Sequence, residues 1–146
     1  MKDYLFDTNV LLLLLRANVK WYELDKRYHF AKTRNFISTV SLGELYSLAL
    51  RNKWNPNRLL EIGRLRQEFI VLEIDDDDIL QRYGAIDAYS QRKLALATHS
   101  MPTTPRNMGK NDLWIAATGA VFGLTLLTAD NDFSHLNGIY LDIIMI

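Results

Sequence analysis

The sequence contains no cysteine. Disulfide staples and thiolate metal sites are therefore excluded, and any bound metal must be held by oxygen or imidazole ligands. Histidine is nearly as scarce. His29, His99 and His135 are isolated, without ligand spacing, and read as surface or loop residues. No long hydrophobic run is present: Val10 to Leu15 is six apolar residues, far short of the roughly 20 that a membrane helix needs. Asp3, Asp7 and Asn9 interrupt the start and no small-residue cleavage site follows, so no signal peptide is expected. The chain reads as cytoplasmic, with no membrane partner. Repeats are absent, and the only biased tract is the aspartate run Asp75 to Asp78, which reads as a helix start with a solvated acidic face.

Neither sign of charge is in excess, since 17 Lys/Arg balance 17 Asp/Glu. The balance is uneven along the chain. Residues 20–66 carry ten basic residues against four acidic ones, whereas residues 67–146 carry five against eleven. A basic half suits a polyanion and an acidic half suits a metal, although two solvated surfaces would look the same. At 146 residues, 49% hydrophobic and 23% charged, the chain is expected to form a single domain over 1–146.

Hydrophobic patterning and capping signals predict alternating strands and helices. Lys2–Phe6 reads as a strand, Val10–Arg16 as a helix start and Trp21–Thr33 as an outer basic helix. Phe36–Thr39 reads as a strand, followed by a helix over Ser41–Asn52. In that helix Ser41-Leu42-Gly43-Glu44 has capping-box spacing. Asn55-Pro56 opens a helix to about Glu68, and Phe69–Ile74 is an apolar strand. Asp75 or Asp76 caps a helix reaching about His99. Ser100–Asn111, with Pro102, Pro105 and Gly109, reads as a loop. A helix over Asp112–Phe122 stops at Gly123, Leu124–Thr128 is a buried strand and Ile139–Ile144 the last. The expected class is α/β, a three-layer architecture with a central parallel sheet of about five short strands and helices on both faces.

In such a sheet, sites form at the carboxyl ends of the strands. Asp7 follows the first strand, Glu44 opens the helix after the second, Asp112 starts a crossover helix, and Asp130 and Asp132 follow Leu124–Thr128. Each has an ordinary role when taken singly: Asp7 as a helix cap, Glu44 as the reciprocal partner of its capping box, Asp112 as a first-turn carboxylate with Asn111 as cap, and Asp130-Asn131-Asp132 as a turn. Four segments delivering carboxylates to one edge call for more. Such a cluster repels itself unless a cation is present, and Mg²⁺ is the hard cation that oxygen ligands favour. Phosphodiester cleavage needs an activated water and charge stabilisation at the phosphate, and a divalent cation supplies both. Basic residues for gripping a substrate lie nearby in sequence at Arg16, Arg51, Lys53, Arg58, Arg64, Arg66 and Lys110. Trp114 is expected in the core or an interface.

Four segments carry a resemblance: Tyr4-Leu5-Phe6-Asp7-Thr8-Asn9-Val10-Leu11, Ser41-Leu42-Gly43-Glu44-Leu45, Asn111-Asp112-Leu113-Trp114-Ile115-Ala116-Ala117 and Leu127-Thr128-Ala129-Asp130-Asn131-Asp132-Phe133. Together they resemble the signature stretches of the PIN domain, and more narrowly those of VapC-type toxins of toxin–antitoxin pairs. The resemblance implies a hydrolase, an endoribonuclease dependent on Mg²⁺, with Mn²⁺ as a substitute ion. It implies that Asp7, Glu44, Asp112 and Asp130 are the catalytic and metal-binding residues, with Asp7 and Asp112 as the direct ligands. Thr8 and Thr128 match hydroxyl positions that orient ligands or water. Asp130, rather than Asp132, is expected to face the metal. The implied partners are an RNA substrate, a cognate antitoxin and a second copy of the chain. The stretch before Phe36 is longer and more basic than in compact members, which implies a reshaped groove.

Two rival functions keep the fold edge but change the chemistry. A phosphatase of the haloacid dehalogenase type also places an aspartate after its first strand, but it wants Asp-x-Asp, and here the second position is Asn9. A degenerate nuclease fold serving as an RNA- or protein-binding module gains nothing from four carboxylates in its groove.

Overall fold

The computed structural model describes all 146 residues. Five parallel strands, β1 (Asp3–Phe6), β2 (Arg34–Ser38), β3 (Ile70–Leu72), β4 (Thr125–Thr128) and β5 (Asp142–Met145), form one sheet in the order β3-β2-β1-β4-β5. Leu5 pairs with Phe36 on one side and Leu126 on the other, so β1 is central. Residues alternate across it. Tyr4 and Phe6 join a core shared with the early helices, while Leu5 joins a second core on the opposite face. Strands buried on both faces need no polar alternation, which is why their sequences read as continuous apolar runs.

Helices α1 (Thr8–Leu15), α2 (Val19–Tyr28), α3 (Thr39–Arg51) and α4 (Pro56–Glu68) supply the first core, whose centre is the aromatic set Phe6, Trp21, Phe30 and Phe69. Helices α5 (Asp77–Ser90) and α6 (Lys110–Phe122) cover the other face. There Gly119 lets α6 approach closely, because a Cβ at that position would meet Leu141 Cδ1 at 2.8 Å. No helix is long and apolar enough to cross a membrane.

Several boundaries differ from the sequence expectations, each for a local reason. Ser38, not Ser41, caps α3, its hydroxyl accepting from Val40 N at 3.1 Å. Ser41 is therefore an interior residue, and Glu44 lies in the second turn rather than in a capping box. Similarly, α6 is capped by Gly109, so Asn111 is helical and exposed. The outer helix α2 stops at Tyr28, where His29 turns left-handed (φ 55°) and a short 3₁₀ turn, Phe30–Lys32, follows. α5 stops at Ser90, nine residues before His99, with Arg92 left-handed at φ 62°. An unanticipated 3₁₀ segment, Asn131–Leu136, follows β4.

Candidate functional site

The chain builds β1, β2 and β3 outward on one side, then returns to build β4 and β5 on the other. The carboxyl ends of β1 and β4 therefore flank the point where the strand order reverses, the crevice where open α/β sheets bind ligands. Asp7 and Asp130 lie just beyond those two ends.

Asp7 is both a helix cap and a buried carboxylate, 4% exposed. Its Oδ1 accepts from Thr8 N (2.8 Å) and its Oδ2 from the Thr128 hydroxyl (2.7 Å). Thr128 also accepts from Asp130 N at 3.0 Å, so one buried hydroxyl ties the β1 end to the β4 end. Asn9 adds a second tie, its Oδ1 accepting from Ala129 N at 3.2 Å. A carboxamide has no ionisable proton to give, so Asn9 joins the two strand ends and cannot serve as a general acid. Thr8 Oγ1 donates to Glu44 Oε1 (2.8 Å) and lies 3.0 Å from the buried Ser41 Oγ. One hydroxyl proton cannot serve both oxygens; the carboxylate is the stronger acceptor, which leaves Ser41 to donate to Thr8. The Ser41–Glu44 spacing thus places both side chains on the α3 face toward Thr8.

Asp112, in the first turn of α6, is half-buried, and its carboxyl is pushed up to about 7. Burial is the largest cause, followed by the charges of Asp7, Asp130, Glu44 and Asp132. Asp7 is also raised, chiefly by burial. The hydrogen bonds from Thr128 and Thr8 oppose that shift, and the charges of Glu44 and Asp130 add to it. The tightest group is not the expected quartet. Asp112, Asp130 and Asp132 each offer an oxygen within 4.8 Å of the others, with Asp7 and Glu44 close enough to act on Asp112 electrostatically. Asp132 joins this group beside Asp130 because the latter's Oδ1 accepts from Asp132 N (2.9 Å), folding the turn back on itself. The sequence signals Ser41 only as a helix cap beside Glu44, and Asp132 only as a second carboxylate next to Asp130.

The donor set fits a hard divalent cation: every side chain in it is an oxygen ligand, and a cation would offset the neighbouring charges that add to burial in raising Asp112. No histidine takes part; His135 Nε2 is 2.7 Å from Ser90 Oγ instead. Of the basic residues named above, Arg51 and Lys110 line cavities that also contain Glu44. Arg58 lies over the Trp54 ring and near Glu61, and Arg64 lines a separate hollow with Leu14 and Leu15.

The PIN-domain family model matches residues 4–139. This chain belongs to the PIN-domain family. No curated protein sequence matches it. Among solved structures, VapBC-1 from nontypeable Haemophilus influenzae is similar in fold, with a TM-score of 0.74 at 21% identity, over 97% of this chain and 96% of that one. DNA-bound VapBC from Salmonella typhimurium gives 0.73 at 20% identity, over 99% and 98%. FitAcB from Neisseria gonorrhoeae gives 0.65 at 22%, over 96% and 95%. The fold is thus shared over nearly the whole chain.

Proposed function

We propose that the chain acts as one domain, a VapC-type toxin: an endoribonuclease dependent on Mg²⁺, with Mn²⁺ as a substitute, held in check by a cognate antitoxin. The observation that carries this reading is the convergence of Asp7, Glu44, Asp112 and Asp130, with Asp132, on one sheet edge, where burial first and the neighbouring charges second raise Asp112. Membership of the PIN family supports it, as does the likeness in fold to chains of VapBC and FitAB complexes. The likeness to VapBC structures supports an antitoxin partner; a cytoplasmic location and pairing with a second copy belong to the same proposal.

In this reading Asp7 and Asp112 would hold the ion, with Glu44 and Asp130 completing the acidic set. A divalent cation bound there supplies Lewis-acid chemistry, lowering the pKa of a water and offsetting charge on the phosphate oxygens. Thr128 fixes the Asp7 carboxylate and the Asp130 backbone relative to each other, and Thr8 holds Glu44. Purified Asp7→Asn and Asp112→Asn proteins keep the shape of the carboxyl and lose its charge. Each should stay folded and lose Mg²⁺-dependent RNA cleavage by on the order of 10³-fold or more. Normal cleavage by both would refute the proposal.

A further inference from the structure

A cavity of about 530 Å³ opens between α3 and α6, within the roughly 300–1,000 Å³ of small-ligand pockets. Its walls are the aliphatic side chains of Val40, Leu48 and Ile74 together with Trp114. Trp114 is half-buried rather than enclosed in the core, and its ring is supported by Tyr83 at 4.1 Å between centroids. Polar groups are few: the half-buried Glu44 carboxylate at one end, the exposed Ser47 hydroxyl and Asn111 amide, and the Arg51 guanidinium further along α3. A second cavity of about 450 Å³ adjoins it, lined by Lys110 and Asp112 and sharing Glu44 and Asn111 with the first. The two form a groove that begins at the carboxylates and ends at Arg51. Glu44, Ser47, Leu48 and Arg51 follow the spacing of one helical face, which carries the groove roughly 10 Å along α3.

An apolar slot with an aromatic wall, an amide and a hydroxyl at its edge, and a guanidinium beyond it, matches an unstacked nucleobase followed by a phosphate. A base held within a duplex would not enter it. We propose that this groove takes the nucleobase next to the cleaved phosphodiester of single-stranded RNA. Trp114 and the aliphatic walls meet the base face, Asn111 and Ser47 its edge, and Arg51 the next phosphate. These residues then set which base flanks the cut. The inference rests on reading the carboxylate edge as the cleavage site.

Gly43 provides a clean probe. It lines the cavity, and a Cβ built on it meets nothing within 4 Å, in contrast to Gly119. A side chain can therefore start at position 43 without a clash at its Cβ, leucine there would extend from the cavity wall, and it favours the helix more than glycine does. The experiment is steady-state cleavage of single-stranded RNAs randomised around the cut, with cut sites mapped by sequencing and folding checked by thermal melting. Gly43→Leu and Asn111→Ala should each raise KM about tenfold with kcat nearly retained, and should flatten the base preference. Arg51→Ala, an exposed change at the end of α3 that does not depend on the Gly43 variant folding, should raise KM and weaken the salt dependence of binding. Wild-type cleavage with unchanged KM and preference in the variants would overturn the inference. So would a fall in kcat alone, which would place these residues in the chemistry. A wild-type protein that cleaves no RNA would instead remove the nuclease reading on which the groove depends.

Discussion

The molecule holds two acidic sets, and they behave differently. Asp75 to Asp78 are consecutive, and all four are exposed. Asp76 caps α5 by accepting from Asp78 N (2.8 Å), and Asp77 accepts from Gln81 NH₂ (2.7 Å). These are contacts of a solvated helix start. Asp7, Glu44, Asp112 and Asp130 are scattered over more than a hundred residues, yet the sheet edge gathers them, and burial with mutual charge raises Asp112 to about 7. Charge density along a chain costs little where water screens it. Convergence under burial costs much more, and such an arrangement implies a compensating ligand.

That contrast is sharpened by altering each set. Thr128→Val removes the hydroxyl that joins Asp7 to the Asp130 backbone. It should lower RNA cleavage about 10- to 100-fold in kinetic assays while leaving the chain folded. An unchanged rate would show that the carboxylates need no such positioning. In the other set, Asp76→Ala should cost about 1 kcal/mol of stability through loss of the α5 cap, measured by urea unfolding, with cleavage unaffected. A loss of cleavage there would erase the distinction between the two sets.

Much of this arrangement was legible in the sequence, because starts of elements carry local signals. Asp7, Asn55-Pro56 and the pair Asp75-Asp76 announce their helices through side chains that can accept backbone N–H groups, and Asp7, Asn55 and Asp76 do so in the structure. The ends were less visible. His29 and Arg92 take left-handed conformations without being glycine, so α2 and α5 run past their true ends in a reading that waits for glycine. Gly123 does end α6 in a left-handed conformation, as a glycine at that position predicts. At the site, the edge and the order of the carboxylates followed from the strand–helix alternation. The distances did not. The Ser41–Glu44 spacing was read as a capping box, but it is an i, i+3 pair facing Thr8, because a cap at Ser38 and a cap at Ser41 look alike until the strand end is fixed. For Trp114 the sequence supports core or interface alike; only the packing of α3 against α6 shows that the half-buried ring lines a cavity.

The central claim is that this edge is built around a divalent cation, and melting temperature measured with and without Mg²⁺ from pH 5 to pH 8 tests it most directly. Asp112 binds its proton more tightly in the folded chain than in the unfolded one, where its pKa is near 3.8. The stability it contributes is therefore complete below that value and is lost as pH rises through about 7. The metal-free protein should melt at lower temperature at pH 8 than at pH 5. Mg²⁺ should raise the melting temperature, and most at pH 8, where the carboxylates are ionised and available as ligands. Asp112→Asn should flatten both dependences. A wild-type protein whose melting ignores Mg²⁺ at pH 8, with no fall in the metal-free form between pH 5 and pH 8, would contradict the account.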